Sequence, residues 1–413
     1  MLNLPQLPHG VAYEWRRLRR QGLIKLPRKI AFHVFSIALW LFLLPITFIL
    51  HLAGYRRVTI FTDRIGHLAL EPDCLLKEQA LGLIPKRKWF MLAPPERVAN
   101  QHLLNYWRPL LRVHENKTTC FILASMSRWK LMRYDISHYI LAINKAQAAY
   151  RIYACWGARA PLLALTQSNN DFGIQSLHEL GLPNNTWFVC VHVREAGFSP
   201  VDEELHAHRN GAIEALIPAI EEIVKRGGWV IRLGDPSMKP LSALPQCIDY
   251  AHHPMKSERL DVVLCAKARF ILGNTSGIAL VGSAFGTPCA LANMIPFSAL
   301  GLGPEDISIP KLLWSETLSR YLTCQEILNS SIANFANAKR YEEIGIKVVD
   351  NSSEDIRLLV LDMIENLNIG FRSTETKNSV GLKLAASHYG YESIAILSPR
   401  FIGSHPELQM SLE

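Results

Sequence analysis

The clearest hydrophobic pattern lies between residues 186 and 295, where short apolar runs alternate with stretches of helical period. WFVCVHV at 187–193 has the near-continuous apolarity of a strand buried on both faces. A helix is expected over 213–225, closed by Gly227-Gly228, with WVIRLG at 229–234 and CIDYA at 247–251 as the next strands. A helix over 258–267, a strand over 268–273, a helix over 278–285 and the strand CALANM at 289–294 continue the series. Strands alternating with helices at this spacing predict parallel βαβ packing.

Residues 55–184 repeat the pattern less regularly. A β-branched and aromatic run at 58–62 ends in DRIGHLA, where Gly66 permits a turn, and a helix is expected from near Pro72. WFMLAP at 89–94 and CFILAS at 120–125 read as further strands, with a helix from about 96 to 111. The tail at 348–367 reads as a strand and a capped helix that returns toward the N-terminal domain. The expected division is a basic N-terminus and anchor (1–54), an N-terminal α/β domain (55–184), a second α/β domain (185–345) and a C-terminal extension (346–413).

Residues 30–53 carry no charge and are long enough as a helix to cross a hydrocarbon core of about 30 Å. Pro45 interrupts the run and favours a kink or a helical hairpin. Arg16, Arg17, Arg19 and Arg20 precede it and Arg56 and Arg57 follow, so both flanks prefer the same, cytoplasmic face. A shallowly inserted or re-entrant membrane anchor is the expectation, with a spanning helix as the alternative and a cleaved signal peptide a poor fit. Five N-x-S/T sequons, at Asn116, Asn184, Asn274, Asn329 and Asn351, do not reverse it. The net charge of +8 suits an anionic partner, but no nucleic-acid motif accompanies it. The eight cysteines include no CxxC, which argues for small core residues in a reducing compartment rather than a zinc or redox site.

Two stretches carry candidate chemistry. In GNTSGIALVGSAFGTP at 273–288 a strand ends, and Ser276-Gly277 opens a helix whose free N–H groups and dipole favour phosphate oxygens. An ordinary capped turn is the plain alternative. In VHVREAG at 191–197, Arg194 and Glu195 emerge at the carboxyl end of a central strand, with His192 on the same side as Arg194. No D-x-D occurs in the chain, so no metal-held diphosphate is expected and no cofactor beyond the donor.

HVREAG, HRNGAIEALIPAIEEIVKRGGWVIRLGD, IDYAHHPMKSERLDVVLCAKARFILGNTSG and FGTPCALANM together resemble a family of bacterial surface-polysaccharide glycosyltransferases of GT-B architecture. More distantly they are similar to fucosyltransferases with an HxR motif. RIGHLA at 64–69 and the tail from Val348 share the resemblance. It implies two Rossmann-like domains behind the membrane segment, a nucleotide-sugar donor on the second and a glycan or lipid-linked acceptor on the first, with inverting chemistry. Arg194, beside His192, would hold the diphosphate, and Asn274, Thr275, Ser276 and Gly277 would cradle it. Asp261 would meet the base or ribose, Gly234 and Asp235 are further nucleotide-sugar-binding candidates, and Arg209 and Asn210 match an RN pair without an assigned role. His67 and Asp63 resemble the base-bearing loop of heptosyltransferases, and with Glu195 they are the candidates for the general base. The expected function is metal-independent sugar transfer in cell-surface polysaccharide synthesis. A nucleotide-sugar epimerase of the same fold, or a catalytically silent sugar-nucleotide-binding membrane adaptor, are the alternatives.

Overall fold

The computed structural model describes residues 26–141, 147–195, 207–369 and 384–408. Their contacts form two compact units, one from the described parts of 1–59, 87–94 and 112–134, the other from 60–86, 95–111 and 135–413.

In the first unit the apolar run folds as α1 (Leu26–Phe42) and α2 (Leu44–Leu52). Pro45 stands in the first turn of α2, where a missing N–H costs nothing, and the two helices meet at 60°. No single helix among the described residues is long and apolar enough to cross a membrane; the bent pair meets that test only together. β1 (Tyr55–Val58) comes earlier than the expected 58–62, because Tyr55, Arg56 and Arg57 pair with Lys88, Trp89 and Phe90 of β2 (Lys88–Leu92). Between β1 and β2 lies α3 (Ile65–Ala80), and α4 (Gln101–Trp107) follows β2; both belong to the second unit. β3 (Arg112–His114), α5 (Lys117–Met126) and β4 (Arg133–Tyr134) complete the first unit, its parallel sheet ordered β3-β2-β1-β4. CFILAS, expected as a strand, is thus helical. The Asn116 side chain accepts from the N–H groups of Thr118 and Thr119 and starts a helix there. A short apolar run has no period that separates the two structures, and the cap decides.

The second unit continues with α6 (Gln147–Trp156), α7 (Gln167–Glu179), β5 (Phe188–His192), α8 (Ile217–Lys225), β6 (Trp229–Arg232), β7 (Cys247–Ile248), α9 (Glu258–Lys267), β8 (Ile271–Gly273), α10 (Gly277–Phe285), β9 (Cys289–Met294) and β10 (Ile307–Pro310). A small antiparallel sheet of β11 (Leu312–Ser315), β12 (Arg320–Tyr321) and β13 (Ile346–Val349) precedes α11 (Ser353–Ile369), and β14 (Ile396–Leu397) lies near the end. The main sheet is parallel throughout, in the order β14-β10-β9-β8-β5-β6-β7. From β7 to β10 this is the doubly wound order 3-2-1-4-5-6, which reverses between β5 and β8. Val189, Val191, Val230, Leu272, Ala290 and Ile307 form its core, covered by Ile220 and Ile223 of α8 and by Ile356, Leu359 and Met363 of α11.

The helix expected from Pro72 begins at Ile65 and carries Pro72 inside it. Pro72 cannot donate to the Leu68 carbonyl, and Trp107 Nε1 donates to that oxygen instead, at 2.8 Å. The units do not follow the boundaries near 54, 184 and 345. α3 packs on α10 and α4 on α9, which draws 60–86 and 95–111 into the second unit. α11 packs on α8, β9 and β10, while beyond it Gln147 Nε2 of α6 donates to the carbonyls of Ala386 and His388.

Candidate active site

At the strand-order reversal His192 pairs with Gly273, which sets the ends of β5 and β8 side by side. The Arg194 N–H donates to Asn274 Oδ1 (3.0 Å), and Asn274 Nδ2 donates to the Arg209 carbonyl (3.0 Å). The Arg209 guanidinium donates to the Thr275 hydroxyl (3.2 Å) and carbonyl (2.6 Å). Arg194 Nε donates to Asn210 Oδ1 (3.1 Å), and the buried Lys311 ammonium donates to the Asn210 carbonyl (2.9 Å). Three motifs distant in sequence are therefore one hydrogen-bonded frame around Asn274, which is buried. The spacer at 196–206 lies outside the described residues.

Ser276 is the N-cap residue of α10, yet its hydroxyl makes no capping bond and has no hydrogen-bond partner among the described residues. A buried hydroxyl without a partner costs free energy unless a ligand satisfies it. The first N–H groups of α10 have no intrahelical partner. The start of α3 crosses here as well: a Cβ on Gly66 would stand 2.8 Å from the Gly277 Cα.

A cavity of about 480 Å³ within the second unit joins these groups. Asp63, His67, His192, Arg194, Glu195, Arg209, Gly234, Asp235, Asp261, Asn274, Thr275, Ser276 and Gly277 all border it. Asn210 does not; it braces Arg194 from behind. Arg64 and Lys256, which sequence reasoning missed, add positive charge to the wall. Burial pushes the Arg209 guanidinium down to about 10, and the neighbouring cations Arg194 and Arg64 act in the same direction. His192 is held down at about 4 by burial and by Arg232 and Lys256, and its Nδ1 is buried without a partner among the described residues. Among the described residues no three His, Cys, Asp or Glu side chains gather as a metal site.

His67 occupies the first turn of α3, and its Nδ1 bonds to the Glu71 carboxylate one turn on. Glu71 is buried, and its Oε2 has no partner among the described residues. Burial raises its pKa despite the bonds from His67 and the Phe61 backbone. The i,i+4 spacing was the available signal for this pair, but it becomes meaningful only once the helix is known to start before His67. Asp63 is exposed in the preceding turn. Glu195 faces Arg232 (3.4 Å) and accepts from the Lys239 N–H (3.2 Å), so it balances a buried cation that Asp249 also holds (2.9 Å). Asp261 pairs with Lys256 (2.9 Å), and burial raises its pKa. Asp235 accepts from the Ser237 N–H, which lowers its own.

The fold and cavity define an α/β protein with parallel main sheets and a crevice at the switch point of the larger one, where Arg194 and Arg209 stand at the start of a helix amid several carboxylates. No family model matches the chain, and no curated protein matches its sequence. Among solved structures it is similar to a glycosyl transferase family 9 protein from Veillonella parvula, at 12% identity over 58% of this chain and 80% of that one, with a TM-score of 0.27. It is similar to E. coli ADP-heptose LPS heptosyltransferase II, at 13% identity over 57% and 84%, with a TM-score of 0.32. A third is TibC, an iron-containing dodecameric glycosyltransferase from enterotoxigenic E. coli, at 14% identity over 77% of each chain and a TM-score of 0.39. These distant likenesses carry no argument about what this chain binds; its own residues do.

Proposed function

We propose that the chain is a metal-independent glycosyltransferase of GT-B type, which moves a sugar from a nucleotide diphosphate donor to a glycan or lipid-linked acceptor. The observation that carries the reading is Arg209, whose guanidinium donates to two neutral Thr275 oxygens at the mouth of the helix α10 and borders the same cavity as Arg194. A guanidinium held against neutral oxygens still seeks a negative charge, and a diphosphate in the cavity would supply one to Arg209. Ser276 and the first residues of α10, Gly277, Ile278 and Ala279, line the same cavity.

In the reaction the acceptor hydroxyl oxygen attacks the anomeric carbon as the bond to the diphosphate oxygen breaks. The hydroxyl proton passes to Nε2 of His67, whose Nδ1 is fixed by Glu71, and the departing diphosphate takes its charge to Arg194 and Arg209. Front-to-back displacement of this kind inverts the anomeric centre. Asp63 and Glu195 remain on the wall, Glu195 committed to Arg232. The place of such a reaction is cell-surface polysaccharide synthesis at the cytoplasmic face of a membrane, with the α1–α2 segment as the attachment.

The test is release of nucleoside diphosphate from a panel of sugar nucleotides, with chelator present and with Arg194→Ala alongside. Turnover that survives the chelator and is lost in the variant supports transfer. Binding without turnover would identify a silent adaptor, and an epimerised sugar still attached to its nucleotide would identify an epimerase.

A further inference from the structure

Within the first unit, α1 and α2 present side chains in the reverse of the usual order. On α1 and α2 the buried positions include hydroxyls: Ser36, bonded to Ser125 of α5 (2.9 Å), and Thr47, bonded to the Leu43 carbonyl (2.8 Å). The outward positions are apolar, with Phe42 79% exposed and Leu52 69% exposed, and Phe35, Leu41 and Ile49 also open. A water-facing helix buries its apolar stripe instead.

The apolar face continues past α2. His51 Nδ1 lies 3.1 Å from the Leu131 carbonyl, Trp129 packs on the rings of Phe48 and His51, and Leu131 is itself 53% exposed. A continuous patch of this kind marks an interaction surface. Arg128, Lys130 and Arg133 are exposed around Leu131. Across residues 26–59, 87–94 and 112–134 the sequence holds a single carboxylate, Glu115, against more than six lysines and arginines. α2 has nine residues, about 14 Å at 1.5 Å each, which is near half of a hydrocarbon core, and it leaves α1 at 60°.

We propose that this face of the first unit is seated in one leaflet of an anionic bilayer, with α1 and α2 entering and leaving on the same side and Lys130 and Arg133 on lipid phosphates. The inverted helix faces supply the insertion, and the local excess of cations selects anionic headgroups. The inference deepens the membrane attachment proposed above; its test involves no sugar chemistry, so the two readings fail separately.

The full chain is mixed with vesicles of phosphatidylcholine alone and of phosphatidylcholine with phosphatidylglycerol, and the bound fraction is read by flotation. Partitioning is expected to be roughly tenfold stronger on the anionic vesicles. Lys130→Glu with Arg133→Glu should remove that preference, and Phe42→Asp with Leu52→Asp should remove binding to both, while thermal unfolding and far-ultraviolet circular dichroism stay unchanged as controls for folding. A nitroxide on Leu41→Cys should report a depth within one leaflet. Equal binding to both vesicle types, a label at the bilayer midplane, or a lipid-free dimer that Phe42→Asp dissolves would each overturn the proposal.

Discussion

Gly66 and Gly277 touch backbone to backbone: a Cβ on Gly66 would lie 2.8 Å from the Gly277 Cα, and one on Gly277 would lie 2.9 Å from the Gly66 nitrogen. This crossing brings the start of α3, with His67, onto the start of α10, with Ser276. Backbone cannot yield as the tip of a flexible side chain can, so the two helices must separate to admit a methyl group. Gly66→Ala and Gly277→Ala should each destabilise the protein by about 1–3 kcal/mol and weaken nucleoside diphosphate binding. Gly403→Ala, where a Cβ meets nothing within 4 Å, is the control that should leave both unchanged. Thermal unfolding with calorimetric titration reads the two effects together; full stability in Gly277→Ala would show that the helices are not so tightly joined.

Arg194 and Arg209 should separate in their effects on binding. Arg194 is braced by Asn210 and borders the cavity, so Arg194→Ala should cost at least roughly tenfold in nucleoside diphosphate affinity with little change in stability, as expected when a charged hydrogen bond is lost. Arg209 also holds Thr275, so Arg209→Ala should lose affinity and melting temperature together. Asn210→Ala, which removes the amide oxygen that Arg194 Nε donates to, should lose less than either. Isothermal titration across the three variants checks the ranking; unchanged affinity in Arg194→Ala would remove that residue from the anion site.

The stretch from 186 to 295 was legible because its strands are buried on both faces and its helices are bounded locally. The helix 258–267 and the strand 289–294 stand where the pattern puts them. The early region was harder, since its decisive contacts are remote in sequence. Pro72 reads as a helix boundary until Trp107 is seen to satisfy the Leu68 carbonyl, and CFILAS reads as a strand until the Asn116 cap is weighed. The strands from 307 to 315 and at 346–349 pair across long separations, and β10 and β11 carried no local mark that singled them out. Within the site, Arg194, Ser276 and Gly277 followed from motif and strand-end position. Glu71 did not, because its partnership depends on where α3 begins.

Glu71 offers a variant in which stability and activity move apart. Its carboxyl pKa is raised in the fold, so the folded protein binds more protons than the unfolded chain between the ordinary glutamate value and the folded one. That contribution is therefore present at acid pH and lost as pH rises through this window. Glu71→Gln removes the loss and should leave the protein at least as stable as the parent at neutral pH. It should also lower kcat by about 10²-fold with donor KM little changed, and alter the shape of the pH–rate profile, while Glu71→Asp restores part of the activity. A variant with unaltered kcat and profile would reduce Glu71 to a buried structural carboxylate.

In the proposed diphosphate site, His192 would link anion binding to protons. Its imidazole is held at about 4 against an ordinary 6.5, by burial and by the cations Arg232 and Lys256, so it is neutral across the range between them. The folded protein there binds fewer protons than the unfolded chain; the associated stability is complete above 6.5 and is lost as pH falls toward 4. A diphosphate entering the cavity adds negative charge beside the ring and favours its protonated form. Binding between pH 5 and 6 should thus take up a fraction of a proton from solution, seen as a dependence of the titration heat on the ionisation enthalpy of the buffer. The phosphate groups of the ligand also titrate in this range, so the informative quantity is the difference between the parent and His192→Gln. That difference should be positive near pH 5.5 and vanish above pH 8; a zero difference throughout would place the bound anion away from β5 and from Arg194 beside it.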